Sequence, residues 1–185
     1  MKHARKTSKR TRIVIGGTVA GAVALGTFAV VTANAGSSAP AAVAADATDG
    51  NLMQSTHLTV EAATKAARAT LEAAEKENQR VSVAVVDRNG NTVVTLRGDG
   101  AGPQSYESAV KKAYTAVSWN APTSELVKRL QNAPTLKDIP GTLFLGGGAP
   151  VTAKGAPIAG IGVAGAPSGD LDEKFARAGA AVLNK

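Results

Sequence analysis

Four groups of residues in this chain have the types and spacing that chemistry requires. Gly160-Ile161-Gly162-Val163-Ala164-Gly165 spells G-x-G-x-x-G. The dinucleotide fingerprint needs a strand before it, a helix opening inside it and an acid about 20 residues on. Here the glycines interrupt an apolar run, and Pro167 separates them from the next helix. Gly146-Gly147-Gly148 lacks the Lys-Ser/Thr of a phosphate loop. Both runs therefore read as places where strand backbone closely approaches a helix or a subunit. The chain has 2 histidines, His3 and His57. Any Ser-His-Asp relay would run through His57, which lies beside an Ala/Ser-rich stretch and is read as surface or structural, with metal ligation kept open. With no cysteine, disulfides, thiolate metal sites and a Cys nucleophile are excluded, and a conventional zinc site lacks ligands.

Two helical patterns carry more. Glu72 and Glu75, spaced i, i+3, share one helix face and can share a hard cation. The alternative is a solvated acidic surface neutralised by Lys76 and Arg80. On the second predicted helix, Lys111, Tyr114, Thr115, Ser118 and Trp119 lie off the apolar face. A phenolate can ligate ferric haem, a lysine can meet a propionate, and an indole can stack on a flat ligand. The same Tyr and Trp also suit a protein interface.

These residues need elements to position them. Thr59 is a cap for a helix through Asn78, with a small-residue stripe at Ala62, Ala66, Ala69 and Ala73. Val81–Asp87 reads as a buried strand, Asn89-Gly90 as a hairpin turn and Thr92–Gly98 as the returning strand. The second helix, Gln104 to Trp119, places Tyr106, Val110, Ala113 and Val117 on one face. Thr123 is expected to cap a short third helix. TLFLGG, PVTA and PIAGIGVAGA read as three more strands, with a turn at Lys154-Gly155, and Ser168 caps a last helix to about Leu183. The fold class is α+β, a five-stranded antiparallel sheet flanked by helices on both faces.

The net charge of +7 belongs to the N-terminal tip. Lys2, Arg5, Lys6, Lys9, Arg10 and Arg12 fall in residues 1–35 without an acid, which leaves +1 for the rest. A nucleic-acid surface needs its basic patch on the domain, so that class is disfavoured. The uncharged run Ile13 to Val31 is diluted by glycines and followed by Ala33-Asn34-Ala35, a small-x-small cleavage site. Residues 1–35 are therefore expected to be a signal peptide, residues 36–56 a flexible linker and residues 57–185 the domain. Lys9-Arg10 resembles a twin-arginine signal with one arginine replaced, so export follows that route or ordinary secretion.

VAVVDRNGNTVVTLRGDGAGPQSYESAVKKAYTAVSWNAPT and TLFLGGGAPVTAKGAPIAGIGVAGAPSGDLDEKFARAGA together resemble the HbpS-like haem-binding branch of the GlcG/PduO C-terminal-domain (DUF336-type) family. The distinctive motifs are D-x-x-G, K-A-Y-T-A and G-I-G-V-[AS]-G. The resemblance implies a profilin-like fold, homo-octamers, and binding of haem b and iron. It implies a secreted protein that reports redox or haem status to a membrane sensor histidine kinase of a two-component system under oxidative stress. It implies haem contact through a threonine, Thr115 or Thr123, while side-chain chemistry keeps Tyr114, Lys111 and Trp119 as further haem-binding candidates. It also implies iron at paired helix carboxylates, matched by Glu72 and Glu75, with His57 as a further metal candidate. No residue makes a convincing acid–base pair, so haem breakdown would be oxidant chemistry at the iron. A small-molecule enzyme and a purely structural oligomer of the same fold are the alternatives.

Cleavage is expected after Ala35. Intact mass of the exported protein checks this, since retention of residues 1–35 would make the leader an anchor.

Overall fold

A computed structural model of the chain describes residues 44–184. The expected signal peptide and its cleavage site lie outside the described residues. The chain divides after Ala47, and the unit Thr48–Lys185 holds all the regular elements below. No helix among the described residues is long and apolar enough to cross a membrane.

The first helix, α1 (Val60–Glu75), starts where Thr59 Oγ1 accepts the Ala62 N–H at 3.1 Å. It stops short of the expected end because Asn78 takes a left-handed φ of 56°. Strands β1 (Ser82–Asp87) and β2 (Thr92–Arg97) form the expected hairpin. Its turn is organised by Asp87, whose Oδ1 accepts the N–H groups of Asn89 and Asn91 at 2.8 and 2.9 Å. The second helix, α2 (Pro103–Trp119), opens with proline at its first position and ends at left-handed Asn120. A short α3 (Thr123–Arg129) follows. Strands β3 (Gly148–Ala153) and β4 (Ala156–Ala164) join through Lys154-Gly155, both at positive φ (51° and 78°), which a two-residue hairpin turn requires. The last helix, α4 (Gly169–Ala181), is capped by Ser168, whose Oγ accepts the Leu171 N–H at 3.2 Å.

The sheet has four strands, not five, all antiparallel in the order β2-β1-β4-β3. The segment read as an extra strand, TLFLGG, is irregular. Its Leu143 N–H donates to Thr115 Oγ1 on α2 at 2.8 Å instead of joining a ladder, and Gly147 takes a φ of 125°. Pro150 is tolerated in β3 because that strand is an edge.

Alternation in the two central strands sorts the layers. Val83, Val85, Ile161 and Val163 pack toward α1 and α4, whereas Ala84, Val86 and Ala164 pack toward α2. Helices thus cover both faces, as expected. The buried faces of the helices differ in part from those read in the sequence. On α1 the buried residues are Ala63, Ala66, Ala67, Thr70 and Ala74. On α2 they include Ser105, Ala109, Lys112, Ala113, Ala116 and Val117, so Ala113 and Val117 of the expected face lie inside, Val110 packs part-buried against them, and Tyr106 is 50% exposed. The reason is steric. Gly160 and Gly162 face α2, and a Cβ on either would collide with the carbonyls of Ala113 and Ala109 respectively. Where the helix meets these glycines its buried residues are the small Ala109 and Ala113, so size counts beside hydrophobicity in choosing the face.

Gly162→Ala is expected to cost about 3 kcal/mol or more, because the added methyl meets backbone that cannot turn aside. Gly50→Ala, with nothing within 4 Å of the new carbon, serves as the near-neutral control in denaturant melts.

Candidate functional site

Because α2 lies so close to β4, the polar residues on its inner face must find partners inside the protein. Lys112 is 5% exposed. Its Nζ donates to Val163 O at 3.0 Å and to Asp172 Oδ2, on α4, at 2.8 Å. Asp172 Oδ1 accepts the Ala166 N–H at 3.0 Å. Burial pushes the Asp172 carboxyl above its usual range, against the opposing pull of Lys112 and of the Ala166 and Gly165 N–H groups. The pair thus ties α2, β4 and α4 together. Next to it opens a cleft of about 510 Å³, bounded by the first turns of α2, by α3, by the 143–146 segment and by the start of α4.

The two threonines singled out in the sequence are both fully buried. Thr115 does not lie off the core face. Its hydroxyl donates to Lys111 O at 2.7 Å and accepts the Leu143 N–H. Thr123 does not cap α3. Pro122 occupies the cap position without a side-chain bond, and Thr123 Oγ1 accepts the Gly148 N–H at 2.8 Å, anchoring the start of β3. The cap comes from another helix. Glu173 on α4 accepts the Ser124 N–H at 2.9 Å and the Ser124 hydroxyl at 2.8 Å, and Arg177 joins it at 2.8 Å. Burial pushes the Glu173 carboxyl up, but the bonds from Arg177 and Ser124 outweigh it and hold the group below its usual range.

The other α2 candidates diverge. Trp119 packs edge-on against Phe144 at 5.9 Å, with the Arg129 guanidinium 5.7 Å from its ring. It belongs to a satellite core with Ala121 and Leu126. Tyr114 is half-buried, its ring lying against Gly90 of the hairpin and Gly141. Lys111 is part-exposed and paired with Glu107 at 2.7 Å, which holds the Glu107 carboxyl below its usual range. Glu72 and Glu75 are both exposed at the end of α1, and Glu75 borders a shallow groove with Arg80 and Asp99. His57 is 3.7 Å from Asp87 Oδ2 through Nδ1 and 2.6 Å from Ser55 Oγ through Nε2. Burial pushes the Asp87 carboxyl up, but the bonds from Asn91 and Asn89, aided by His57, together outweigh it and hold the group below its usual range. Asp87, Asp99 and Asp138 do not converge on the main cleft. Among the described residues, no group of three or more His, Asp or Glu side chains could hold a metal ion. By sequence Lys112 is, with Lys111, a lysine that could meet a haem propionate, and its pairing with Asp172 inside the protein has no local signature. Its place beside Ala109, Ala113 and Ala116 hints only at its burial.

The family described as haem degrading protein HbpS-like matches residues 58–181. A double glutamate-to-aspartate variant of Streptomyces reticuli HbpS is similar at 80% identity, with a TM-score of 0.77, over 78% of this chain and 99% of that one. A structure described as a PduOC:Heme complex is similar at 30% identity, with a TM-score of 0.64, over 70% of this chain and 96% of that one. The corrinoid adenosyltransferase PduO of Citrobacter freundii is 32% identical over 63% of this chain. The match spans only 36% of that enzyme's length.

Two measurements check the geometry. Thr115→Val and Thr123→Val are each expected to cost about 1–3 kcal/mol, because each strands a buried N–H, that of Leu143 or Gly148. Stability is also expected to fall as pH drops below the ordinary glutamate value of 4.5. Glu173 binds protons more weakly folded than unfolded, so its contribution is present above that value and lost below it. In Glu173→Gln the acid limb of a stability–pH curve is expected to be shallower.

Proposed function

We infer that this chain, which belongs to the HbpS-like family, is an exported haem-binding protein. The observation that carries the reading is its likeness, over nearly the whole of the other chain, to a domain crystallised with haem. The finer reading follows the same family. The protein acts outside the cell as a homo-octamer that binds haem b and iron and reports redox or haem status to a membrane sensor histidine kinase.

The residues present fit haem unevenly. Tyr114 offers the one half-buried phenol on α2, a ligand type suited to ferric haem. Lys111, one turn earlier and part-exposed, can exchange Glu107 for a propionate. The hydroxyls of Thr115 and Thr123 are engaged inside the protein, so they act by holding the 143–148 segment beside α2. Trp119 supports the helix end from its own small core. Bound haem supplies the redox chemistry, while the chain's residues bind and orient it. Iron fits Glu72 and Glu75 as two hard oxygen ligands one turn apart. Their exposure leaves room for water or a neighbouring subunit to complete the shell. The Streptomyces reticuli variant carries its two Glu→Asp changes at the same three-residue spacing.

Haem added at micromolar concentration to the exported protein is expected to shift its Soret band, and no shift would overturn the reading. Tyr114→Phe is expected to alter the bound spectrum, whereas Trp119→Phe lowers thermal stability and leaves the spectrum unchanged. Glu72→Gln with Glu75→Gln is expected to abolish iron uptake while retaining haem.

A further inference from the structure

The two edges of the sheet are built differently. Each edge strand carries N–H and C=O groups that its one neighbour does not use. On β3, Gly147 O accepts the Val163 N–H at 2.8 Å. Bonded and non-bonded pairs alternate along an antiparallel pairing, so Pro150, opposite Gly160, falls at an outward position. A strand approaching there finds no donor. On β2, the Gly98 N–H donates to Val81 O at 2.9 Å. The same alternation makes Leu96 the bonded partner of Val83 and turns the N–H and C=O of Thr95, opposite Ala84, away from β1. β2 contains neither proline nor an acidic residue, and no further strand pairs with it among the described residues.

The side chains of β2 sort by face. Val94 and Leu96 are half-buried and pack against the core on the α1 side. Thr95 lies on the other side with Ala84, toward α2. Its Oγ1 is buried and has no hydrogen-bond partner among the described residues, the only such side-chain atom there. A buried hydroxyl left in that state is unfavourable.

We propose that β2 pairs with β2 of a second copy, antiparallel about a two-fold axis at Thr95, so that two four-stranded sheets join into one. The two Thr95 residues exchange N–H···O=C bonds across the axis. An axis normal to the sheet keeps each face on its own side, so Val94 meets the partner's Leu96 and the two cores join. On the other face threonine meets threonine, and a turn about χ1 brings the two hydroxyls into one hydrogen bond. That hydroxyl selects the register. A pairing centred on Val94 sets Thr95 against the partner's Val93 and leaves the oxygen without a partner. A second copy fits better than a foreign strand because Val94-Thr95-Leu96 complements itself, apolar against apolar and hydroxyl against hydroxyl. The one charge on the strand, Arg97, lies two residues from the axis, so the two arginines stand about 14 Å apart along the strands. The contact names one interface of the homo-oligomer proposed above and rests on that part of the reading, not on haem.

The chain has no cysteine, so a single introduced one reports its own neighbour. Residues opposite each other in a bonded antiparallel pair have Cα atoms about 5.5 Å apart, within the span of a disulfide. After mild oxidation of the exported protein, Thr95→Cys is expected to run as a covalent dimer on a non-reducing gel. Thr152→Cys, exposed on β3, is expected to stay single. Thr95→Pro removes an outward N–H and leaves the bonds to β1 in place, and native mass spectrometry is expected to show its assembly mass at least halved. Where a melt shows Thr95→Pro unfolded, the cysteine variants decide alone. The contact is overturned, with the oligomer reading left standing, by assembled Thr95→Cys that does not cross-link or by equal cross-linking of Thr152→Cys. A dimer through Val94→Cys in its place, or full-mass assembly of folded Thr95→Pro, does the same. A wild-type chain that is monomeric at micromolar concentration overturns both, and the Soret titration tests haem separately.

Discussion

The separation between α2 and β4 governs this structure. Gly160 and Gly162 put no side chain between the strand and the helix, so the carbonyls of Ala109 and Ala113 rest almost on the sheet. A chain with only 3% aromatic residues cannot fill a wide gap with rings. It gains cohesion by bringing backbones together, where many weak contacts add up. The same solution recurs on the other face, where a Cβ on Gly179 of α4 would collide with Thr70 on α1.

Close approach has a polar consequence. Groups drawn inside with the helix lose water and need partners. Lys112 finds Asp172 and Val163 O, Thr115 finds Leu143, and Ser105 meets Ser82 of β1 at 2.8 Å. These bonds join elements far apart in sequence. They also explain why the 142–147 segment is not a strand, since its Leu143 N–H is held by Thr115 of α2 and it meets β4 only at its end, where Gly147 O accepts the Val163 N–H at 2.8 Å. The cleft opens at the edge of this arrangement, where α2 and α4 begin and the sheet ends.

Functional surface remains where the tight packing stops. The exposed carboxylates at the end of α1 and Lys111 on the outer side of α2 are free of core duties, while Tyr114 lies between surface and core, its half-buried ring packed beside Val110 and against Gly90. Trp119, Thr115 and Thr123 are not free, because each holds a neighbouring segment in place. The family's likeness to haem-binding relatives therefore meets a helix whose polar residues divide between scaffold and surface.

The sequence by itself determined the α+β class, the two hairpins at Asn89-Gly90 and Lys154-Gly155, the caps at Thr59 and Ser168, and the meaning of G-x-G-x-x-G as close packing. Each depends on local backbone geometry or on period-two and period-four patterns, which neighbouring residues encode. Its motifs also placed the family and drew attention to Glu72, Glu75, Tyr114 and Thr115. Only the tertiary structure decided how α2 turns inward, because Gly160 and Gly162, about 50 residues away on β4, bring its backbone against the sheet, while on the other face Gly179 of α4 brings α1 close at Thr70. It alone gave α3 its cap from Glu173, paired Lys112 with Asp172 across 60 positions, and reduced the sheet to four strands. A cap supplied by another helix and a buried charge pair leave no trace in local spacing, since the partners become neighbours only when the chain is folded.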